Sequence, residues 1–254
     1  MLAGAGAAVL GGLGVVGAEE AYAQTHLTSP LQFYGGFASG VRPDHTAPSV
    51  PGSSVIWSGT TQDRRVALTF DDGPRPDWTP RVLDILARHD VPATFFLKGI
   101  NVRDHGAIHR SSVGTHELGN HTWDHPDLAR LDYPQCSQQL ERTSAIIHQV
   151  YGARPLLFRP PYGHIAGSSL LAAAEQGLTT VLWSAQMMES LFLDRPADIV
   201  GSVRKAAKPG SIILCHDTGE SERLVTIDHL DAIINGLKAD GFAFTTVSDL
   251  CGLR

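Results

Sequence analysis

Residues 65–97 read RVALTFDDGPRPDWTPRVLDILARHDVPATFFL. Two short runs rich in β-branched and aromatic residues, RVALTF and ATFFL, bracket a stretch with helical spacing. Within that stretch Thr79 is placed to cap a helix, Pro80 takes its first position, and Val82, Leu83 and Leu86 share one face. Strand, helix, strand is the unit of a parallel sheet, because parallel neighbours need a crossover connection. One detail resists the pattern. Asp71 and Asp72 follow the first strand directly, and neighbouring side chains on a strand point to opposite faces. The Gly73-Pro74 turn signal predicts that the strand ends at Phe70, which frees both carboxylates to reach one place.

The same rhythm runs to the C-terminus. Strand-like LLFR (156–159), TTVLW (179–183), SIILC (211–215) and FAFTTV (242–247) alternate with helical segments over 133–152, 168–177, 196–210 and 225–241. Gly152 is a natural helix C-cap. Six strands, and a seventh near HELGN (116–120), predict an α/β fold: a parallel sheet covered by helices, as a barrel or an open doubly wound sheet. No G-x-G-x-x-G follows the first strand, so a dinucleotide fold has no local support.

The chain has 254 residues, a net charge of -6 and no Lys/Arg run, so nothing points to nucleic acid or an anionic membrane. Residues 1–23 are expected to be a signal peptide. Leu2 to Gly17 is apolar but short for a membrane span, and Ala21-Tyr22-Ala23 fits a cleavage site. Residues 24–63, rich in Gly, Pro and Ser, predict a linker or arm, and 64–254 the catalytic domain. Cys136, Cys215 and Cys251 allow at most one disulfide and form no zinc motif.

Polar residues cluster where the strands end. RVALTF runs into Asp71-Asp72, LLFR into Arg159-Pro160-Pro161-Tyr162, TTVLW into Ser184-Ala185-Gln186, and SIILC into His216-Asp217. In parallel α/β folds these ends converge on one rim, where active sites are built. His121 and His125, in HELGNHTWDHPDL, are four apart, so one helical turn would stack both imidazoles. Two imidazoles and a carboxylate form a common catalytic zinc shell with an open position. Asp217 either tunes this site or caps the following helix, whereas His116, Asp124 and His164 are expected at the surface.

TFDDGP, HTWDH, RPPY and LCHD, in this order from about Arg64 to the C-terminus, resemble four of the five motifs of the polysaccharide deacetylases, the NodB-homology or carbohydrate esterase family 4 enzymes. The resemblance implies a distorted (β/α) barrel with about seven parallel strands and metal-dependent removal of acetyl groups from sugars. It implies that Asp72, His121 and His125 bind a divalent metal, Zn2+ or alternatively Co2+. It further implies that Asp71 is the general base, that Arg159 holds Asp71, that Tyr162 gives a backbone N–H to the oxyanion, and that His216 is the general acid. One motif departs. Where many members have Asp-x-x-Asp-Trp, this chain has Gln186, Glu189 and Ser190, so Glu189 is expected to support His216 with a longer side chain. The expected substrate is an acetylated polysaccharide or oligosaccharide carrying N-acetylglucosamine, of peptidoglycan or chitin type. The expected enzyme is a secreted or wall-associated monomer with no stable membrane span after signal cleavage. The alternatives are an O-acetyl esterase on acetylxylan-type polymer and an inactive glycan-binding protein.

Overall fold

The computed structural model describes residues 53–253. The expected signal peptide and residues 24–52 of the expected arm lie outside the described residues. Within them the chain alternates strand and helix: β1 (Val55–Ile56), β2 (Arg65–Asp71), α1 (Thr79–Arg88), β3 (Thr94–Leu97), α2 (Gly99–His105), β4 (Glu117–Asn120), α3 (Tyr133–Tyr151), β5 (Leu157–Phe158), α4 (Gly167–Glu175), β6 (Thr179–Val181), β7 (Ala185–Gln186), α5 (Asp198–Ala206), β8 (Ile212–His216), α6 (Leu224–Ala239), β9 (Ala243–Phe244) and α7 (Val247–Cys251). Eight strands follow the order β1-β6-β5-β4-β3-β2-β8-β7, and β9 pairs with the start of β2. Every ladder between these strands is parallel. Ser58, just beyond β1, bridges to Ser211, just before β8, so the sheet curls back on itself. This is a distorted (β/α) barrel with one or two more short strands than the sequence predicts.

Alternation along β2 places the site. Val66, Leu68 and Phe70 join Val82, Leu86 and Ile234 in the large core between sheet and helices. Ala67 points the other way, into a smaller cluster with Phe96, Leu157, Val181 and Ile212, closed by Val247 and Leu250 of α7. Thr69 and Asp71 follow Ala67 at steps of two, so the strand carries a carboxylate up the inner face. On β8, Ile213 and Cys215 face the large core. His216 therefore shares the inner face with Ile212, and it is paired in register with Asp71.

Several local expectations change. Strand β2 runs through Asp71 rather than stopping at Phe70, because Asp71 still pairs with Phe96 and His216. The break falls at Asp72, whose φ is 78°. Thr79 is the first helical residue rather than the cap. Its hydroxyl accepts from the Arg75 N–H at 2.9 Å and donates to Asp217 Oδ2 at 2.6 Å. Val55–Ile56, inside the expected arm, pairs with β6. All three cysteines are free thiols. Gly152 does end α3 in the left-handed conformation, with φ 76°.

Candidate active site

Arg159 anchors the rim. It follows β5 and is completely buried. Nη1 donates to Asp71 Oδ1 and to Thr69 Oγ1, both at 2.7 Å, Nη2 donates to the Leu182 carbonyl at 3.1 Å, and Nε to that of Val181 at 3.3 Å. Its guanidinium also lies 4.1 Å over the Phe96 ring. Burial pulls the guanidinium below its usual pKa while Asp71 opposes that shift. It remains charged, as arginine does in proteins. Asp71 is thus fixed through one oxygen, and its other oxygen, Oδ2, stands 3.8 Å from His121 Nε2.

Asp72, His121 and His125 meet beside it. Their candidate ligand atoms all lie within 4.8 Å of one another. Asp72 Oδ1 is 3.4 Å from His125 Nε2 and 3.7 Å from His121 Nε2. The two histidines do not share a helical turn: β4 ends at Asn120, and the chain from His121 to His125 is a loop with positive φ at Thr122 (65°) and His125 (68°). Capping-type hydrogen bonds hold that loop. Asn120 Oδ1 accepts from the Thr122 N–H, Thr122 Oγ1 from the His125 N–H, and Gln139 Oε1 from the Trp123 N–H. The imidazoles converge all the same, with ring centroids 5.0 Å apart.

The donor set fits a cation. His121 Nδ1 donates to the Arg159 carbonyl at 2.7 Å, which leaves Nε2 as the lone-pair nitrogen facing Asp72. Burial, reinforced by His121, lowers the His125 pKa to about 4, so its imidazole is neutral at physiological pH. Burial pushes the Asp72 carboxyl up, but His121, His125, His216 and Arg223 outweigh it and hold the group ionised far below the usual carboxylate range. Asp72 Oδ1 is buried and accepts no hydrogen bond. An ionised oxygen left bare between two imidazole nitrogens is the environment a divalent cation completes.

His216 lies across the β2–β8 ladder from Asp71. Its Nδ1 is buried, without a hydrogen bond, and 4.0 Å from Glu189 Oε1. That is an ion-pair separation, longer than a hydrogen bond. Glu189 Oε1 accepts from Thr226 Oγ1 at 3.0 Å. Burial raises the Glu189 carboxyl, and His216, with a backbone hydrogen bond and Thr226, more than offsets it, so the net shift is downward. Gln186 Oε1 accepts from the Trp183 indole at 3.0 Å, and Ser190 is exposed. Tyr162 is 61% exposed, adopts φ 60° and sets its ring 4.7 Å from that of His125.

Three residues enter that the sequence did not single out: Arg223, whose Nη1 donates to Asp72 Oδ2 at 2.8 Å; Thr226, on Glu189; and Thr69, on Arg159. Arg223 and Thr226 carry no local signal, since their partners lie far away in the chain. Asp217 is fully buried and tied to Thr79, and burial pushes its carboxyl up to about 7. Gly73 packs on it so tightly that a Cβ would come within 2.4 Å of Oδ2. His116 is buried rather than at the surface, with Nδ1 accepting from the Ala93 N–H. Asp124 is exposed, and His164 pairs with Asp127.

With this geometry in hand, known proteins can be set beside the chain. The sequence profile described as polysaccharide deacetylase matches residues 58–181. A peptidoglycan-N-acetylglucosamine deacetylase of Bacillus cereus is 37% identical over 198 residues, covering 78% of this chain and 72% of that one. A chitooligosaccharide deacetylase of a Bradyrhizobium species is 38% identical over 199 residues, covering 73% and 88%. A crystal structure of a peptidoglycan N-acetylglucosamine deacetylase superimposes with a TM-score of 0.75 at 36% identity, covering 80% of this chain and 94% of that one.

Proposed function

The chain belongs to the polysaccharide deacetylase family, and from that premise we propose that it hydrolyses the acetamide of N-acetylglucosamine units in a glycan, peptidoglycan first and chitin-type oligomers second. The observation that carries this reading is the meeting of an arginine-held carboxylate, Asp71, with the Asp72–His121–His125 group on one rim. Asp72, His121 and His125 would hold the cation, and the two-nitrogen, one-oxygen donor set suits Zn2+, with Co2+ able to replace it. A bound divalent cation supplies Lewis acidity, lowering the pKa of water from about 15.7 towards ~7 and polarising the acetyl carbonyl.

The side chains divide the remaining work. Asp71, oriented by Arg159, takes the proton of the attacking water through Oδ2. Tyr162 offers its backbone N–H to the oxyanion of the tetrahedral intermediate. His216 donates a proton to the departing nitrogen, the C–N bond breaks, and acetate and the free amine leave. Glu189, buttressed by Thr226, stabilises the charged form of His216. We place the enzyme outside the cell or on its wall, because peptidoglycan, the glycan named for one relative, is a wall polymer. Among the described residues no helix is long and apolar enough to cross a membrane.

The rival reading keeps this machinery and cleaves an O-acetyl ester, as on acetylxylan. It is favoured by the altered Gln186–Glu189–Ser190 motif, because an alkoxide departs more readily than an amide nitrogen. An inactive glycan-binding role is disfavoured, since every residue type the chemistry needs is present. Acetate release is the test, measured on peptidoglycan, chitin oligomers and acetylxylan before and after chelation, with Zn2+ or Co2+ returned. Turnover of the N-acetylated glycans, lost on chelation and regained with metal, is expected. Turnover of acetylxylan alone would establish the esterase, and full activity after exhaustive chelation would remove the cation.

A further inference from the structure

The two oxygens of Asp72 face different partners. Oδ1 points between the two imidazoles and accepts no hydrogen bond. Oδ2 receives Arg223 Nη1 at 2.8 Å, and the same nitrogen donates to the Thr218 carbonyl at 2.9 Å. One guanidinium nitrogen thus ties the carboxylate to the loop that follows β8. Gly219 makes room for it: a Cβ there would lie 2.5 Å from Nη1 and 2.9 Å from Cζ, and its φ of 123° belongs to glycine. The arrangement repeats the one at Asp71, where Arg159 takes Oδ1 at 2.7 Å and leaves Oδ2 to the site. Each of the two adjacent carboxylates therefore gives one oxygen to an arginine and one to the chemistry. An ordinary surface ion pair is worth little. This one ends on a carboxylate whose side chain is only 10% exposed, and it is anchored to backbone at its other end.

We propose that Arg223 is a positioning residue for the metal site, engaging Oδ2 so that Asp72 serves the cation through Oδ1 alone. In this role it acts through Asp72. A carboxylate free to swing can offer both oxygens to a metal and fill a coordination position that water and the acetyl oxygen need. Partners that orient metal ligands in this way typically contribute about 10–100-fold in affinity. The inference rests on the reading of Asp72, His121 and His125 as the metal shell, so its test must separate the two.

Metal-free wild type, Arg223→Ala, Arg223→Lys and His125→Ala are titrated with Zn2+ and Co2+ against a chromogenic chelator. The visible spectrum of each cobalt form and the thermal melt of each metal-free form are recorded alongside. Arg223→Ala is expected to bind either metal about 10-fold more weakly. Its cobalt absorption should be weaker too, as coordination number rises, while its metal-free melt stays close to wild type. Arg223→Lys, which keeps a donor and a charge, is expected to recover part of the affinity and the wild-type spectrum, and His125→Ala to bind hardly at all. Wild-type affinity and spectrum in Arg223→Ala, with His125→Ala deficient, would overturn the role of Arg223 and leave the shell standing. Equal binding by wild type and His125→Ala would overturn the shell, and the proposal with it.

Discussion

Asp71 and Asp72 are chemically identical and adjacent, yet they sit in different surroundings, and the proposed mechanism gives them separate work. Asp71 is the last residue of β2, on the inner face, clamped by a fully buried arginine. Asp72 leaves the strand at φ 78° and turns its free oxygen to the imidazoles. Asp71→Asn keeps an oxygen that accepts from Arg159, so the fold and the metal should remain while the base is lost. We expect kcat to fall by about 10²–10⁴-fold with metal stoichiometry unchanged. Asp72→Asn removes the anionic ligand, and metal affinity should fall by more than the roughly 10–100-fold typical of residues behind the ligands. Metal analysis and single-turnover acetate release on both variants check this. Loss of metal from Asp71→Asn and its retention by Asp72→Asn would reverse the two roles. The dipeptide stood out as a candidate site because other strand ends, at Arg159 and His216, bring polar residues to the same rim. Arg223 was not legible, because its partner lies 151 residues away in the chain and nothing local marks it.

Among elements, the long apolar runs announced themselves and the short ones did not. RVALTF, ATFFL and SIILC are buried on both faces, and such strands read as continuous hydrophobic runs. Val55–Ile56 and Ala185–Gln186 are two residues each and owe their strand geometry to neighbours already in place. The histidine loop misled for a related reason. A spacing of four suits a helix, but here backbone N–H groups donating to the side chains of Asn120, Thr122 and Gln139 bend the chain to the same end. A buried carboxyl joins two of the elements: Asp217 accepts from Thr79 at the start of α1 and directly follows β8. With its pKa raised from 3.8 to about 7, the folded chain holds a proton there that the unfolded chain has released. This contribution is fully present below about pH 4 and is lost as pH rises through about 7. His125 and His109, lowered by burial to about 4 and about 3, act in the opposite sense and are the same in wild type and variant. Asp217→Asn, which mimics the protonated acid at every pH, should match wild type near pH 4. In chelated protein it should exceed wild type by about 2–4 kcal/mol at pH 8. Denaturant melts across that range check it, and a difference independent of pH would show that Asp217 ionises without cost.

At the scale of the whole molecule, the question is where the catalytic unit begins. The change of composition at Arg64 suggested a boundary there, yet the barrel is closed by residues before it. Leu182 and Thr180 donate backbone hydrogen bonds to Ile56 and Ser54, and Gly59 donates to Gly210. Ile56 packs against the inner cluster that includes Val181. Strand β6 and the residue after it supply the carbonyls that receive Arg159, and Arg159 in turn holds Asp71. Support therefore runs from β1 through β6 to Asp71. A chain starting at Arg64 loses at least these three backbone hydrogen bonds, about 1 kcal/mol each, and the burial of Ile56, about 1 kcal/mol more. Relative to a chain starting at Ser53 it should melt about 10 °C lower, at roughly 2–4 °C per kcal/mol. Well below either melting point its kcat should fall while KM holds, because the loosened element supports Asp71, the proposed base. Equal melting points and equal kcat would return the boundary to Arg64 and leave β1 as an ornament on a barrel already complete.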